Sequence, residues 1–137
     1  MLRAAAESAG GKCGVLAVTV LTSLTSRDVA TSWGREDTLD VAAEVLRLSA
    51  LALECGAHGV VCSGQEAGAV RDRFDGRLAT LVPGVRFAGG ATQDQARVVT
   101  PRQAAEAGAR YVVVGRAVTA SKDPRAAMRQ LSAELAI

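Results

Sequence analysis

The sequence has few aromatic residues, no long hydrophobic run and no marked excess of charge of either sign. Aromatic side chains make up 3% of the 137 residues, and the formal net charge is only +2. Because nucleic-acid binding needs a basic surface patch, this charge balance argues against a nucleic-acid partner. No apolar run approaches the roughly 18 residues of a membrane-spanning helix, and Glu7 interrupts the first segment before a signal peptide could form. We therefore expect a cytoplasmic protein without nucleic-acid or membrane partners.

Cysteine is also scarce, and its spacing does not fit a metal site. The three cysteines, Cys13, Cys55 and Cys62, are odd in number and contain no Cys-x-x-Cys pair. A disulfide framework and a zinc site are therefore not expected. We interpret these residues as small core or boundary residues.

Four short apolar runs, rich in β-branched residues, alternate with segments of helical periodicity. The runs lack polar alternation, which predicts strands buried on both faces of a parallel sheet; they lie at 14–21, 59–62, 78–82 and 111–115. Helices are predicted at about 38–54, 64–74, 101–107 and 124–135 from capping patterns. These patterns include capping boxes at Ser63 and Thr100 and an Asp123-Pro124 start, and Gly56 and Gly108 fall where helices should end.

Repeated βα units fit two architectures, an open doubly wound sheet like that of flavodoxin or part of a closed (β/α)8 barrel. A full barrel takes about 250 residues. Four strands would therefore supply half of one, with residues 1–137 forming a single partial-barrel domain. The residues themselves leave both architectures open.

Arginine and glycine residues follow the last two predicted strands. In parallel α/β folds the C-terminal ends of the strands face the ligand, and Arg86 and the Gly115-Arg116 pair fall there. Two arginines at adjacent strand ends indicate a phosphate site, with ordinary surface arginines as the alternative. His58 precedes its strand, so we assign it a structural role at the opposite end. No acid pair or lysine falls at the strand ends, so no catalytic residue is predicted.

Five segments, in their order along the chain, resemble the orotidine 5′-phosphate decarboxylase family. They are LAVTVLTS at 16–23, VVCSGQE at 60–66, LVPGVR at 81–86, GATQDQAR at 90–97 and VGRAVT at 114–119. In the family these correspond to the fifth, sixth and seventh strands, the flexible phosphate loop and the eighth strand. One departure is Ala117, where the family usually has proline.

The resemblance implies a (β/α)8 TIM barrel of which this chain supplies strands 5–8 with their helices. It implies conversion of orotidine 5′-phosphate (OMP) to UMP and CO2 with no metal or cofactor, in a homodimer. It also implies six substrate-binding residues. Thr22 would contact the ligand from the fifth-strand loop, and Ser63 would form a hydrogen bond with the pyrimidine ring. The 5′-phosphate would be bound by Arg86, Gln95, Gly115 and Arg116.

The family's Asp-x-Lys-x-x-Asp motif occurs nowhere in the sequence. In the family its lysine protonates the carbanion-like site that CO2 leaves. The resemblance therefore implies that Met1 aligns inside the fourth helix and that the chain is the substrate-binding half, inactive alone. We expect it to dimerise or to associate with a segment supplying strands one to four. The alternatives are a phosphate-binding module without catalysis and another ribulose-phosphate-binding barrel, such as a hexulose-phosphate synthase.

Overall fold

The computed structural model of the protein describes residues 1–35, 37–89 and 96–136. Four strands form one sheet: β1 (Leu16–Val18), β2 (Gly59–Val61), β3 (Ala79–Val82) and β4 (Tyr111–Val112). The helices are α1 (Leu2–Ala9), α2 (Ser26–Ser32), α3 (Val41–Glu54), α4 (Gly64–Arg73), α5 (Pro101–Glu106), α6 (Arg116–Thr119) and α7 (Pro124–Leu135). All the predicted strands and helices are present; α7 has the predicted bounds and the others are shorter, whereas α1, α2 and α6 were not predicted.

Local signals fix where most helices begin and end. Thr100 and Gln103 exchange side-chain and backbone hydrogen bonds as a complete capping box, and the Asp123 side chain caps α7. Gly56 and Gly108 have φ angles of 81° and 77°, in the left-handed region that glycine adopts without a steric penalty. The predicted ends of α3 and α5 are therefore confirmed.

The order of the strands decides between the two architectures. All neighbours pair in parallel, in the order β1-β2-β3-β4, without a reversal. Because parallel crossovers are right-handed, such an order places the connecting helices on one face of the sheet. A doubly wound sheet needs a reversal of order to cover both faces. The flavodoxin-like alternative is therefore wrong, and the sheet is an arc of a (β/α)8 barrel.

The two faces of the sheet differ in burial. Val60 and Thr80 are register partners on the helix-covered face and are buried. The adjacent row of partners points to the other face and includes exposed side chains at both edges, Val18 at 60% and Tyr111 at 51%. The prediction of burial on both faces is therefore wrong for the described residues. The reason is that this apolar row lies on the inner face of the barrel arc, where side chains of all eight strands fill a complete barrel.

The core lies between the sheet and the helices and consists mainly of small side chains. Val45 and Ala52 of α3, Val70 of α4 and Ala104 of α5 are almost completely buried in one core cluster, in which α3 packs on β2 and α4 on β3. Valine and alanine allow the helices to pack closely on the sheet, which accounts for the scarcity of aromatics. Within the described ranges, no helix has the length and hydrophobicity needed to cross a membrane.

Candidate ligand site at the C-terminal ends of the strands

Five of the six predicted substrate-binding residues follow the C-terminal ends of the strands. Thr22 follows β1, Ser63 follows β2, Arg86 follows β3, and the Gly115-Arg116 pair follows β4. Because the strands are parallel and in register, these residues share one edge of the sheet. The sixth residue lies in the predicted phosphate loop, and Gln95 is outside the described residues.

Arg86 is held in a buried position beyond β3. Its backbone N–H donates to the carbonyl of Val99 (2.9 Å), and its Nη1 donates to the carbonyl of Val85 (2.9 Å). Gly84, with a φ of 72°, turns the chain between the end of β3 and Arg86. Among the residues described, the buried Nε–H of Arg86 has no acceptor. The guanidinium is therefore fixed in place and retains a donor for an anionic ligand.

A cavity of about 240 Å³ opens beside Arg86. This volume is below the 300–1,000 Å³ typical of sites that enclose a whole small molecule, so it suits one end of a ligand. Backbone and side chains of two segments line it: Arg86, Phe87, Ala88 and Gly89 on one side, and Val98, Val99, Thr100 and Gln103 on the other.

The loop after β4 leads directly into the short helix α6. The carbonyl of Gly115 accepts hydrogen bonds from the N–H groups of Val118 (2.9 Å) and Thr119 (3.1 Å). Backbone N–H groups that come earlier than these in the first turn have no carbonyl partner within the helix. In (β/α)8 barrels, the loops after strands seven and eight and a short extra helix form the usual phosphate site. Arg116, the first residue of α6, lies at the corresponding position.

Arg97 connects three of the strand-end loops, a role that the sequence did not predict. Its Nη1 lies 2.7 Å from Oε1 of Glu66, and its Nη2 donates to the carbonyls of Val20 and Leu21 (3.1 Å each). Its backbone N–H donates to the carbonyl of Thr22 (3.1 Å). The two charged side chains are only 11% and 6% exposed. This pair therefore fixes the end of the predicted phosphate loop against the loop after β1.

Ser63 begins α4 and is fully buried. Its hydroxyl oxygen accepts a hydrogen bond from the N–H of Gln65 (3.2 Å) and keeps its own proton for donation. The prediction of a complete capping box is wrong, because the Glu66 carboxylate binds Arg97 instead of returning to the backbone of Ser63. Nothing in the local sequence indicates that Glu66 has a partner 31 residues away. Covariation of the two positions among homologues would be the signal that reveals such a contact.

Cys62 lies at the same end of β2 and is completely buried. Burial, with a smaller contribution from the charge of Glu66, raises the pKa of the Cys62 thiol to about 12. The thiol therefore stays protonated at neutral pH and is a poor nucleophile. Within the described part of the chain, no three His, Cys, Asp or Glu side chains come together as metal ligands.

Gly64 allows the segment before α5 to pack against the start of α4. A Cβ at Gly64 would lie 2.4 Å from Cγ2 of Val99, whereas one at Gly68 of the same helix would have its nearest contact at 3.8 Å. We expect Gly64→Ala to destabilise the protein by about 1–3 kcal/mol through overpacking. The matched control Gly68→Ala should be neutral or stabilising by about 0.5–1 kcal/mol. Chemical denaturation tests this difference, and equal stabilities of the two variants would contradict it.

Comparison with known proteins identifies the relatives of this fold. A family profile described as "Orotidine 5'-phosphate decarboxylase / HUMPS family" matches residues 1–131. The orotidine 5′-phosphate decarboxylases of Halorhodospira halophila and Sphingopyxis alaskensis are 44% and 46% identical to this chain over 99% and 98% of its length. The crystal structure of the Lactobacillus acidophilus enzyme is similar over the whole chain, with a TM-score of 0.78 and 28% identity. The chain spans 58% of each of these three proteins.

Proposed function

The chain belongs to the orotidine 5′-phosphate decarboxylase / HUMPS family, and we propose that it provides the substrate-binding part of an orotidine 5′-phosphate decarboxylase. The reaction converts OMP to UMP and CO2. The observation that carries the proposal is the buried Arg86, fixed beside a cavity one strand away from the start of α6. Relatives that carry this enzyme's name, at 43–46% identity, favour this substrate over that of another phosphate-binding barrel.

The 5′-phosphate is bound at the ends of β3 and β4. Arg86 and Arg116 provide guanidinium donors, and the first backbone N–H groups of α6 after Gly115 provide further donors. Gln95, from the loop that ends at Arg97, completes this set. A phosphate at this point is stabilised by the two full positive charges of Arg86 and Arg116.

The pyrimidine ring is bound nearer to β1 and β2. The buried hydroxyl of Ser63 has one proton to donate to a carbonyl or ring nitrogen of the base. Thr22 lies in the adjacent loop, where its carbonyl holds the backbone of Arg97. Arg97 therefore acts as a positioning residue that keeps the phosphate loop and the base-binding loops in a fixed relation.

The proton that replaces CO2 comes from a group outside this set of residues. Lys12 precedes β1, at the opposite end of the sheet, and Lys122 lies between α6 and α7; both are exposed. Neither is held beside Ser63 or Arg86 by a hydrogen bond or ion pair among the described residues. We assign proton transfer to the lysine of an Asp-x-Lys-x-x-Asp motif in the first four strands of the barrel.

The uncovered face of the sheet is the surface that those first four strands cover. It bears the apolar row from Val18 to Tyr111, and β1 and β4 are edge strands with unpaired backbone groups among the described residues. Four further βα units would pair with both edges and bury this row, as the lengths of the relatives indicate. The completed barrel would act in the cytoplasm as a homodimer, as the family resemblance implies.

The phosphate assignment is tested by nucleotide binding. Replacing Arg86 or Arg116 with alanine should weaken UMP binding by about 1.5–3 kcal/mol, since each removes charge-assisted hydrogen bonds to an ion. Uridine, which lacks the phosphate, should bind both variants as it binds the parent protein. Isothermal titration calorimetry measures both ligands, with Arg129→Ala on the exposed side of α7 as the control. Equal affinities of all these proteins for UMP would show that the phosphate lies elsewhere.

A second candidate function is phosphate binding without catalysis. The absence of Asp-x-Lys from the sequence favours it, because the site described would then bind nucleotides but decarboxylate none. The two functions make the same prediction for UMP binding. They differ in whether activity appears when the first four strands are supplied.

A further inference from the structure

A second cavity, of about 410 Å³, lies at the end of the sheet opposite the proposed OMP site. It is lined at the N-terminal ends of β2, β3 and β4 by His58, Ala79 and Arg110, and on its outer side by Arg71 and Arg77. Its volume falls within the range typical of small-molecule sites. The decarboxylase proposal makes no use of this cavity or of the residues that line it.

The lining of this cavity is strongly cationic. Three arginines, Arg71, Arg77 and Arg110, contribute to it, and no carboxylate does among the residues described. Asp72, the next residue in the chain, accepts a hydrogen bond from Nε of Arg71 (2.9 Å), and this bond does not occupy the two terminal nitrogens of the guanidinium. The other two arginines have no carboxylate partner among the described residues. For a chain with a net charge of only +2, this is a local concentration of positive charge.

His58 adds a neutral donor to the same lining. Its Nδ1 accepts a hydrogen bond from the backbone N–H of Val15 (3.1 Å). An accepting Nδ1 carries no proton, so the proton is on Nε2. The structural role predicted for His58 is consistent with this hydrogen bond, and the same bond orients the ring in the wall of the cavity.

Gly108 allows one of the arginines to take up its position. A Cβ at Gly108 would lie 2.7 Å from Nη1 of Arg71, so the guanidinium rests directly on the backbone at this point. The backbone N–H of Arg110 donates to the carbonyl of Thr80 (3.1 Å), which fixes the start of β4 beside the cavity. The positions of Arg71 and Arg110 beside the cavity are thus set by backbone contacts of the fold.

We infer that this cavity binds a diphosphate group, either as inorganic pyrophosphate or as the diphosphate of a nucleoside diphosphate. Each guanidinium presents a planar pair of donors that matches two phosphate oxygens. Three guanidiniums carry a charge of +3, which exceeds the charge of about −2 on a single phosphate and suits two adjacent phosphates, and the imidazole N–H adds one more donor. Binding here requires no residue of the proposed OMP site, so the inference does not rest on the decarboxylase proposal.

His58 provides a direct readout because it is the one histidine in the sequence. Its imidazole proton resonances can be followed by NMR while pyrophosphate or ADP is added to the 137-residue protein. We expect a saturable shift, weakened about tenfold or more in Arg77→Ala and in Arg110→Ala, the loss expected for charge-assisted hydrogen bonds. Tighter binding of ADP identifies a nucleotide as the ligand, and equal or tighter binding of pyrophosphate identifies the inorganic anion.

Two control variants separate this cavity from the rest of the molecule. Arg129→Ala removes an exposed charge on α7, and Arg86→Ala removes the proposed 5′-phosphate contact. Both variants should show the same shift of the His58 resonances on addition of pyrophosphate or ADP as the parent protein. Circular dichroism checks that each variant is folded. The inference is overturned if the His58 shift does not saturate, if sodium chloride at matched ionic strength reproduces it, or if Arg77→Ala and Arg110→Ala titrate like Arg129→Ala.

Discussion

Replacing Arg97 with methionine is expected to destabilise the protein by about 3–5 kcal/mol, the cost of removing one partner from a buried ion pair. The substitution would leave the Glu66 carboxylate, only 6% exposed, without its cation. It would also remove the donors to the carbonyls of Val20 and Leu21. Denaturation by urea, at one fixed protein concentration, measures the change in the free energy of unfolding.

An exposed ion pair of the same kind provides the control. Nε of Arg71 lies 2.9 Å from Oδ1 of Asp72, but the two side chains are 46% and 69% exposed. Because water screens such a pair, Arg71→Met should cost no more than about 1 kcal/mol. The double variant Arg97→Met with Glu66→Gln should recover part of the stability, since no buried charge then remains. If Arg97→Met costs no more than Arg71→Met, the buried pair does not hold the strand-end loops together.

The parts of the fold that sequence could predict are those set by local signals. Thr100, Asp123, Gly56 and Gly108 each act within a few residues of their own position, and the structure confirms all four. The apolar β-branched runs predicted the strands for a similar reason. Of the helices that were not predicted, α6 has only four residues, too few to show a helical period. The helix α2 begins with a complete capping box at Thr25, a local signal from which it could have been predicted.

The candidate site was predictable only in part, because its residues meet across long sequence separations. A rule of topology placed Ser63, Arg86 and Arg116 at one edge of the sheet, since parallel strands share their C-terminal ends. The contact between Glu66 and Arg97 follows no such rule, and the capping pattern at Ser63 suggested a different partner for that glutamate. The burial of the sheet was also misjudged, because an apolar strand has the same sequence whether it faces a helix layer or a barrel interior.

A polypeptide of these 137 residues is expected to decarboxylate no OMP above background when it is alone. It should become active when the first four strands of the barrel are supplied. The sequence has no Asp-x-Lys, and its lysines, Lys12 and Lys122, lie away from the strand-end site. The supplied fragment, taken from the Halorhodospira halophila relative, would bring the family's Asp-x-Lys-x-x-Asp motif. The uncovered apolar row from Val18 to Tyr111 gives it a surface on which to dock.

Three observations distinguish a completed, active barrel from other assemblies. Size-exclusion chromatography with light scattering should show this chain and the fragment in equal numbers, whereas pairing of two copies of this chain would leave the fragment unbound. A fragment whose motif lysine is replaced by alanine should bind equally well and give no activity. Arg86→Ala in this chain should preserve the complex and raise the OMP concentration needed for half-maximal rate.

The most direct test is the rate of UMP formation from OMP by the equimolar mixture, compared with each polypeptide alone under the same conditions. The proposed function predicts that neither polypeptide is active alone and that the mixture is active in proportion to the complex formed. A stable complex that binds UMP through Arg86 but forms none from OMP would contradict it, and would identify the chain as a phosphate-binding module without catalysis.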